Sequence, residues 1–174
     1  GETVDGIASD LGLVYAVDFP VMVRDDLPLE PGGNPEVEVS RASGAEDADA
    51  NADVMASAYS MSKDSVLRAL PASFVDAPGA DVYLARVNGA AVGSVTMTYH
   101  GDTCGIWAMG TDTARQRGGI GLRLLSTAMV QARNGGSRRF YLGATPAGYR
   151  LYEGLGFKTV CSARIWVSGE THQA

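Results

Sequence analysis

The sequence predicts an α+β fold: one mixed central sheet, with an antiparallel meander first, a parallel pair at its centre, and flanking helices. Two observations carry this. Apolar, β-branched runs at 82–87, 91–99 and 103–109 are joined by turn signals at Asn88-Gly89 and Gly101-Asp102, which makes a three-stranded antiparallel meander. The third run leads into a helical pattern and then into another strand at 139–142. Strand, helix, strand is a crossover, so its two strands should be parallel and the connection right-handed.

Each element has its own signal. Residues 2–11 read as a short helix. Residues 14–24 have strand character, and Pro20 implies an edge position or a bend. Residues 25–35 are rich in Pro, Gly, Asp and Glu, a linker. Residues 37–40 alternate and read as the first strand of the main fold. Residues 42–53 are small and acidic and read first as a solvated loop, followed by a helix over 54–59. Ser62 is placed to cap a helix over 63–70 that Pro71 stops, and the cluster at 76–81 reads as a loop. After 103–109, the apolar positions Ile120, Leu124, Leu125, Ala128, Met129 and Ala132 fall on one helical face. Asn134-Gly135-Gly136 ends that helix. A short helix at 147–155 and a strand at 158–167 complete the chain. Residues 1–35 are assigned to an N-terminal extension, 36–168 to the main domain, and 169–174 to a polar, frayed tail. Leu11-Gly12-Leu13 and the strand after it echo Leu155-Gly156-Phe157 and the strand after that. The echo is compatible with a remnant of a second unit and, more simply, with an accessory helix and strand.

Composition bounds the function. With 174 residues, 45% apolar and 20% charged, the chain suits one soluble domain with an ordinary core. No apolar run approaches the roughly 18 residues of a membrane span, and no signal segment is visible. Two cysteines are too few for a disulfide framework and read as reduced thiols of a cytoplasmic protein. The net charge of −6 argues against a general nucleic-acid binder. Its distribution is uneven: residues 111–150 hold seven arginines and one acid, a net of +6, which leaves −12 for the rest.

That basic segment contains Thr111-Asp-Thr-Ala-Arg-Gln-Arg-Gly-Gly-Ile-Gly121, between a strand and a helix. The first amides of a helix lack intrahelical partners and the helix dipole adds positive charge, so such a turn is an anion trap. The position after Gly119-Ile-Gly121 where a dinucleotide fingerprint needs its third glycine is Leu124, and no Gly-Lys-Ser/Thr ending of a triphosphate loop follows. What remains is Gln116-x-x-Gly119-x-Gly121 after a meander, joined about thirty residues on by Leu151-Tyr152-Glu153-Gly154-Leu155-Gly156-Phe157.

On these motifs residues 37–167 resemble the GCN5-related N-acetyltransferase superfamily. The resemblance implies acetyl-CoA as acyl donor, CoA as product, and a primary amine as acceptor that attacks directly in a ternary complex. It implies that Gln116, Arg117, Gly118, Gly119, Ile120, Gly121 and Leu122 form the pyrophosphate site. It further implies that the preceding strand splays from its parallel neighbour, that the backbone of Met109, Gly110 and Thr111 pairs with pantetheine, and that an amide near Met109 polarises the thioester carbonyl. Tyr152 corresponds to the tyrosine that protonates the departing thiolate. Two departures stand out. Thr145 occupies the position of a frequent CoA-contacting Asn, and neither central strand carries the frequent Glu base. His100 and Asp112 are the nearest titratable alternatives, with water as the other route; Cys104 as an acyl carrier is disfavoured. A small-molecule amine is the expected partner, with no nucleic acid, membrane or metal; a homodimer is compatible. The acidic residues of 46–53 would suit a cationic amine if they line the acceptor side. The reading from a different class is an acyl-CoA-binding or sensing domain without catalysis.

Overall fold

The computed structural model describes residues 3–168; the tail assigned to 169–174 lies outside the described residues. A seven-stranded sheet runs through the molecule. Its strands are β1 (Leu13–Arg24), β2 (Glu38–Arg41), β3 (Ala80–Val87), β4 (Ala90–His100), β5 (Thr103–Thr111), β6 (Arg139–Gly143) and β7 (Lys158–Ser168). Their order is β2-β3-β4-β5-β6-β1-β7. Every neighbouring pair is antiparallel except β5 and β6, as the crossover requires. The β3–β4 turn holds Asn88 at φ 52° and Gly89 at φ 81°, the paired left-handed residues that keep a two-residue hairpin in step with strand twist.

The helices are α1 (Val4–Asp10), α2 (Gly44–Tyr59), α3 (Lys63–Ala69), α4 (Ile120–Asn134) and α5 (Tyr149–Gly154). All six apolar positions of the predicted helical face are buried in α4, against Met22, Val95, Met97, Cys104, Ile106, Phe140 and Leu142. Tyr152 and Leu155 of the α5 region join that same core. α2 and α3 lie on the opposite face. The Ser62 cap is formed: its Oγ accepts from Ser65 N–H at 3.2 Å.

Two expectations are corrected. Residues 44–53 are helix, not loop: α2 starts at Gly44. Its inward positions there are Ala48, Asn51 and Ala52, so the apolar period is carried by alanines and by an Asn whose Oδ1 accepts from Ser94 Oγ in the core. Asp49 and Asp53 occupy outward positions and pair with Lys63, while the half-buried Asp47 reaches across to Arg86 of β3. Second, Pro20 is not on an edge strand. β1 lies between β6 and β7, and Pro20 sits where the pairing with β6 stops: that pairing covers only Val21–Arg24, while β7 pairs from Leu13 to Val23. Ala144 N–H donates to Pro20 O at 2.8 Å, and the missing N–H falls just past that last bond to β6, so the edge reading does not hold. The helix after the glycine loop starts at Ile120, the first position of the predicted apolar face.

The linker between β1 and β2 is tied down at both ends. The buried guanidinium of Arg24 donates to the carbonyls of Leu155 (2.7 Å), Leu27 (3.1 Å) and Pro28 (3.1 Å). Farther on, Gly32 N–H donates to Ser126 Oγ at 2.9 Å, which lays residues 32–34 against the start of α4.

Candidate functional site

The site begins with a defect in β5. Opposite β4, Ser94 faces Gly110 while Thr96 faces Trp107, so Val95 opposes both Ala108 and Met109. This is a β-bulge. Ala108 takes φ 46°, a left-handed conformation that a non-glycine residue holds only where packing over-determines it. Ala108 packs beneath α2 and α3 with Ala52, Met55 and Val66. Gly110 permits that approach, because a Cβ there would stand 2.5 Å from Ala58 Cβ. The bulge follows directly on the point where β5 and β6 part: their pairing ends at Ile106 and Leu142, while β5 continues to Thr111. Asp112 N–H bonds toward β4, to Val92 O at 2.9 Å. Strand alternation then turns the backbone groups of Met109 and Thr111 toward the gap. The Met109 carbonyl there accepts from Tyr59 Oη at 2.9 Å.

The gap leads to the glycine loop. Asp112 caps a 3₁₀ turn at Thr113–Arg115, accepting from Ala114 N–H. Arg117 follows at φ 66° and Gly119 at φ 73°. Two left-handed residues in this stretch keep the chain from bonding to itself. Among the described residues, none of the backbone N–H groups from Gln116 to Leu122 finds an acceptor. The Gly119 carbonyl faces the other way and accepts from Arg123 N–H at 3.1 Å and Asn34 N–H at 3.5 Å. A free amide row at the head of a fifteen-residue helix, with Arg115 and Arg117 alongside, fits a pyrophosphate. Gly121 lines the inner wall, where a Cβ would make ordinary contact with Met109 Cε at 3.4 Å and Leu151 Cδ2 at 3.5 Å.

Tyr152 closes the gap from the α5 side. Its Oη lies 3.8 Å from Met109 Sδ, and its ring stacks edge-on against Phe157 with centroids 6.1 Å apart. Gly148 is required beneath the ring, because a Cβ there would stand 2.7 Å from Tyr152 Cε2. Burial, with a smaller contribution from Tyr59, pushes the Tyr152 phenol up to about 12. The phenol is protonated at neutral pH, as any tyrosine is, and its one hydrogen-bond partner among the described residues is a thioether. That is the state a proton donor needs.

The structure brings Met109, Gly110, Thr111, the loop from Gln116 to Leu122, and Tyr152 to one gap. Thr145 stands at the turn before α5, where its carbonyl accepts from Gly148 and Tyr149 N–H and its hydroxyl accepts from Gly148 N–H at 3.3 Å. His100 ends β4 beside the Gly101 turn, at the opposite end of the β4–β5 hairpin from the gap. Asp112 holds its turn together: Oδ1 accepts from Ser57 Oγ at 3.0 Å and Ala114 N–H at 3.2 Å. Cys104 is fully buried and its thiol is pushed up to about 12 by burial, an inert group. Sequence reasoning missed Tyr59, Phe19 and the Gly33-Asn34 strap. Tyr59 was visible only as the end of a helix. Phe19, whose ring lies directly on Gly143, and the strap are long-range contacts without a local signal.

The acetyltransferase (GNAT) family matches the chain over residues 50–157. No curated protein sequence matches it. A solved GCN5-related N-acetyltransferase from Kribbella flavida superposes with a TM-score of 0.74 at 19% identity, covering 98% of this chain and 65% of its own. Another from Sphaerobacter thermophilus gives 0.71 at 18% identity, covering 92% and 53%. A predicted acetyltransferase from Clostridium acetobutylicum, solved with acetyl-CoA, gives 0.58 at 13% identity, covering 71% and 91%. The chain thus spans about two thirds or less of the length of the first two.

Proposed function

The chain belongs to the GNAT acetyltransferase family, and from that premise we propose that it transfers an acetyl group from acetyl-CoA to a primary amine by direct attack. The observation that carries this is the unpartnered amide row from Gln116 to Leu122, opening onto the unpaired side of β5 opposite a buried, protonated Tyr152.

Acetyl-CoA would supply an acyl group already activated as a thioester. The chain's own residues do the rest. Amides of Arg117 to Leu122 hold a diphosphate through backbone geometry and helix dipole. The outward backbone of Met109 and Thr111 orients an extended amide-bearing arm by strand-like pairing. An N–H near Met109 donates to the carbonyl oxygen as charge builds there. Tyr152 Oη delivers a proton to the departing sulfur. No carboxylate sits on β5 or β6, so the amine loses its proton to water or arrives neutral. The absent carboxylate is also what favours a second reading, acyl-CoA binding without transfer.

Two measurements separate them. Calorimetry with acetyl-CoA tests binding, and a thiol-release assay over a broad panel of amines tests transfer. Acceptor-dependent CoA release supports the transferase. Binding without release from any amine favours the sensor, and absence of binding contradicts both.

A further inference from the structure

We infer, on the basis of that transferase reading, that the acceptor is a monoamine on a flat aromatic or apolar body, seated on the open sheet face formed by Phe19, Val21, Trp107 and Tyr141. Cross-strand register places these side chains on one face. Val21 is opposite Gly143, Gly105 is opposite Tyr141, and alternation puts Trp107 with Gly105 and Phe19 with Val21. α2 covers this face only as far as Ala108 and Gly110. Beyond that, Trp107 is 45% exposed, and Phe19, Val21 and Tyr141 are each partly exposed.

Two glycines make this surface a floor. A Cβ at Gly105 would stand 2.6 Å from Trp107 Nε1 and 2.9 Å from Tyr141 Cζ. A Cβ at Gly143 would overlap the Phe19 ring. The rings therefore occupy the space that side chains at 105 and 143 would take. Trp107 and Tyr141 meet edge to face at 5.5 Å. The indole N–H is already satisfied by Thr98 Oγ1 at 2.8 Å, so what Trp107 offers to solvent is apolar. Offset and edge-on contacts with a further ring are the interactions such a floor favours.

The floor adjoins the reacting gap. Trp107 immediately precedes the bulge, and Phe19 rests on Gly143, the last residue of β6. Tyr152 reaches the gap from the α5 face and the floor from the α2 face, so the amine enters on one side and sulfur leaves on the other. The amine lone pair forms the C–N bond, the C–S bond breaks, and the Tyr152 proton goes to sulfur. The surplus N–H proton passes to water, which re-protonates Tyr152.

A second positive charge on the acceptor finds no partner on the floor itself among the described residues. The floor carries no acid among the described residues. Asp18 and Arg164 are opposite one another in the β1–β7 register and, by alternation, face away from Phe19. Asp47, Asp49 and Asp53 are engaged by Arg86 and Lys63. At the rim, Ser57 and Ala114 donate to Asp112 Oδ1 and tie this carboxylate to the turn after β5, off the floor itself.

The test is thiol release at saturating acetyl-CoA with 2-phenylethylamine and tryptamine against spermidine and lysine. The expected result is a kcat/KM at least tenfold higher for the aryl amines. Trp107→Ala should raise the tryptamine KM about tenfold with the acetyl-CoA KM unchanged, and Trp107→Phe should restore most of that loss. Melting curves should show both variants folded; Phe19→Ala gives the same reading if Trp107→Ala does not fold. Faster transfer to spermidine or lysine, or an equal loss for every amine in the variants, overturns the inference and leaves the transferase standing. No release from any amine overturns both.

Discussion

Tyr152 titrates high because it is buried, with a smaller contribution from Tyr59. Its Oη has only Met109 Sδ nearby, and burial lifts its titration from the usual 10 to about 12. Tyr152→Phe should therefore leave folding nearly intact while lowering kcat about 100-fold, the scale of one proton donor, with the acetyl-CoA KM within about twofold. Steady-state kinetics at saturating amine checks this. The raised titration also fixes the sign of a stability effect. The fold prefers the neutral phenol, so the contribution is complete below pH 10 and is lost as pH rises from 10 to about 12. Urea midpoints across that range should fall more steeply for the natural chain than for Tyr152→Phe. Arg24 is a residue of a different kind. It is 3% exposed and bonds carbonyls, with no carboxylate paired to it among the described residues. Arg24→Met keeps the length but leaves the Leu155, Leu27 and Pro28 carbonyls without their donor. A loss of about 3 kcal/mol is expected, read by urea denaturation at pH 7.

Among the elements, the strap over α4 is the one whose form depends on a glycine. Gly33 sits at φ 82° with its missing side chain aimed at Gly119 O and at Arg123 N. Gly33→Ala adds left-handed strain of about 1–2 kcal/mol and pushes on the carbonyl that organises the loop. Acetyl-CoA affinity measured by calorimetry should fall about tenfold, more than for an alanine at Gly12, which has open space around it. This strap shows where sequence reading stops. Its Pro-Gly-Gly-Asn composition announces a linker, yet its docking on α4, 85 or more residues away in sequence, has no local signal. The meander, by contrast, was legible because Asn88-Gly89 encodes both the turn and its hand. The first half of α2 was illegible because its buried positions are alanines and an Asn, so no hydrophobic period marks them. The bulge at Ala108 was invisible for a similar reason: α2 imposes it, and alanine has no preference for it.

At the scale of the whole molecule, the sheet separates two tasks. On one face α4 and α5 build a core, with the unpartnered amide row from Gln116 to Leu122 and the buried Tyr152 at its edge; on the other, α2 stops short and leaves an aromatic floor. The loop and tyrosine motifs were readable because they are contiguous, whereas the floor is assembled from β1, β5 and β6 and appears only once β1 is seen between β6 and β7. Because no carboxylate base stands on the central strands, the acid limb of kcat/KM should track the acceptor's own amine titration. Two amines differing by about two units should give limbs displaced by about the same amount, and a common limb for both would reveal a protein base. The central claim is that the gap at β5 and the amides behind it form the acyl-donor site. A backbone amide NMR titration of the natural chain with acetyl-CoA reads that directly. The account predicts saturable shifts concentrated at residues 109–111 and 117–122, with those near His100 unmoved. Saturation with shifts located elsewhere, or no shifts at millimolar acetyl-CoA, would contradict it.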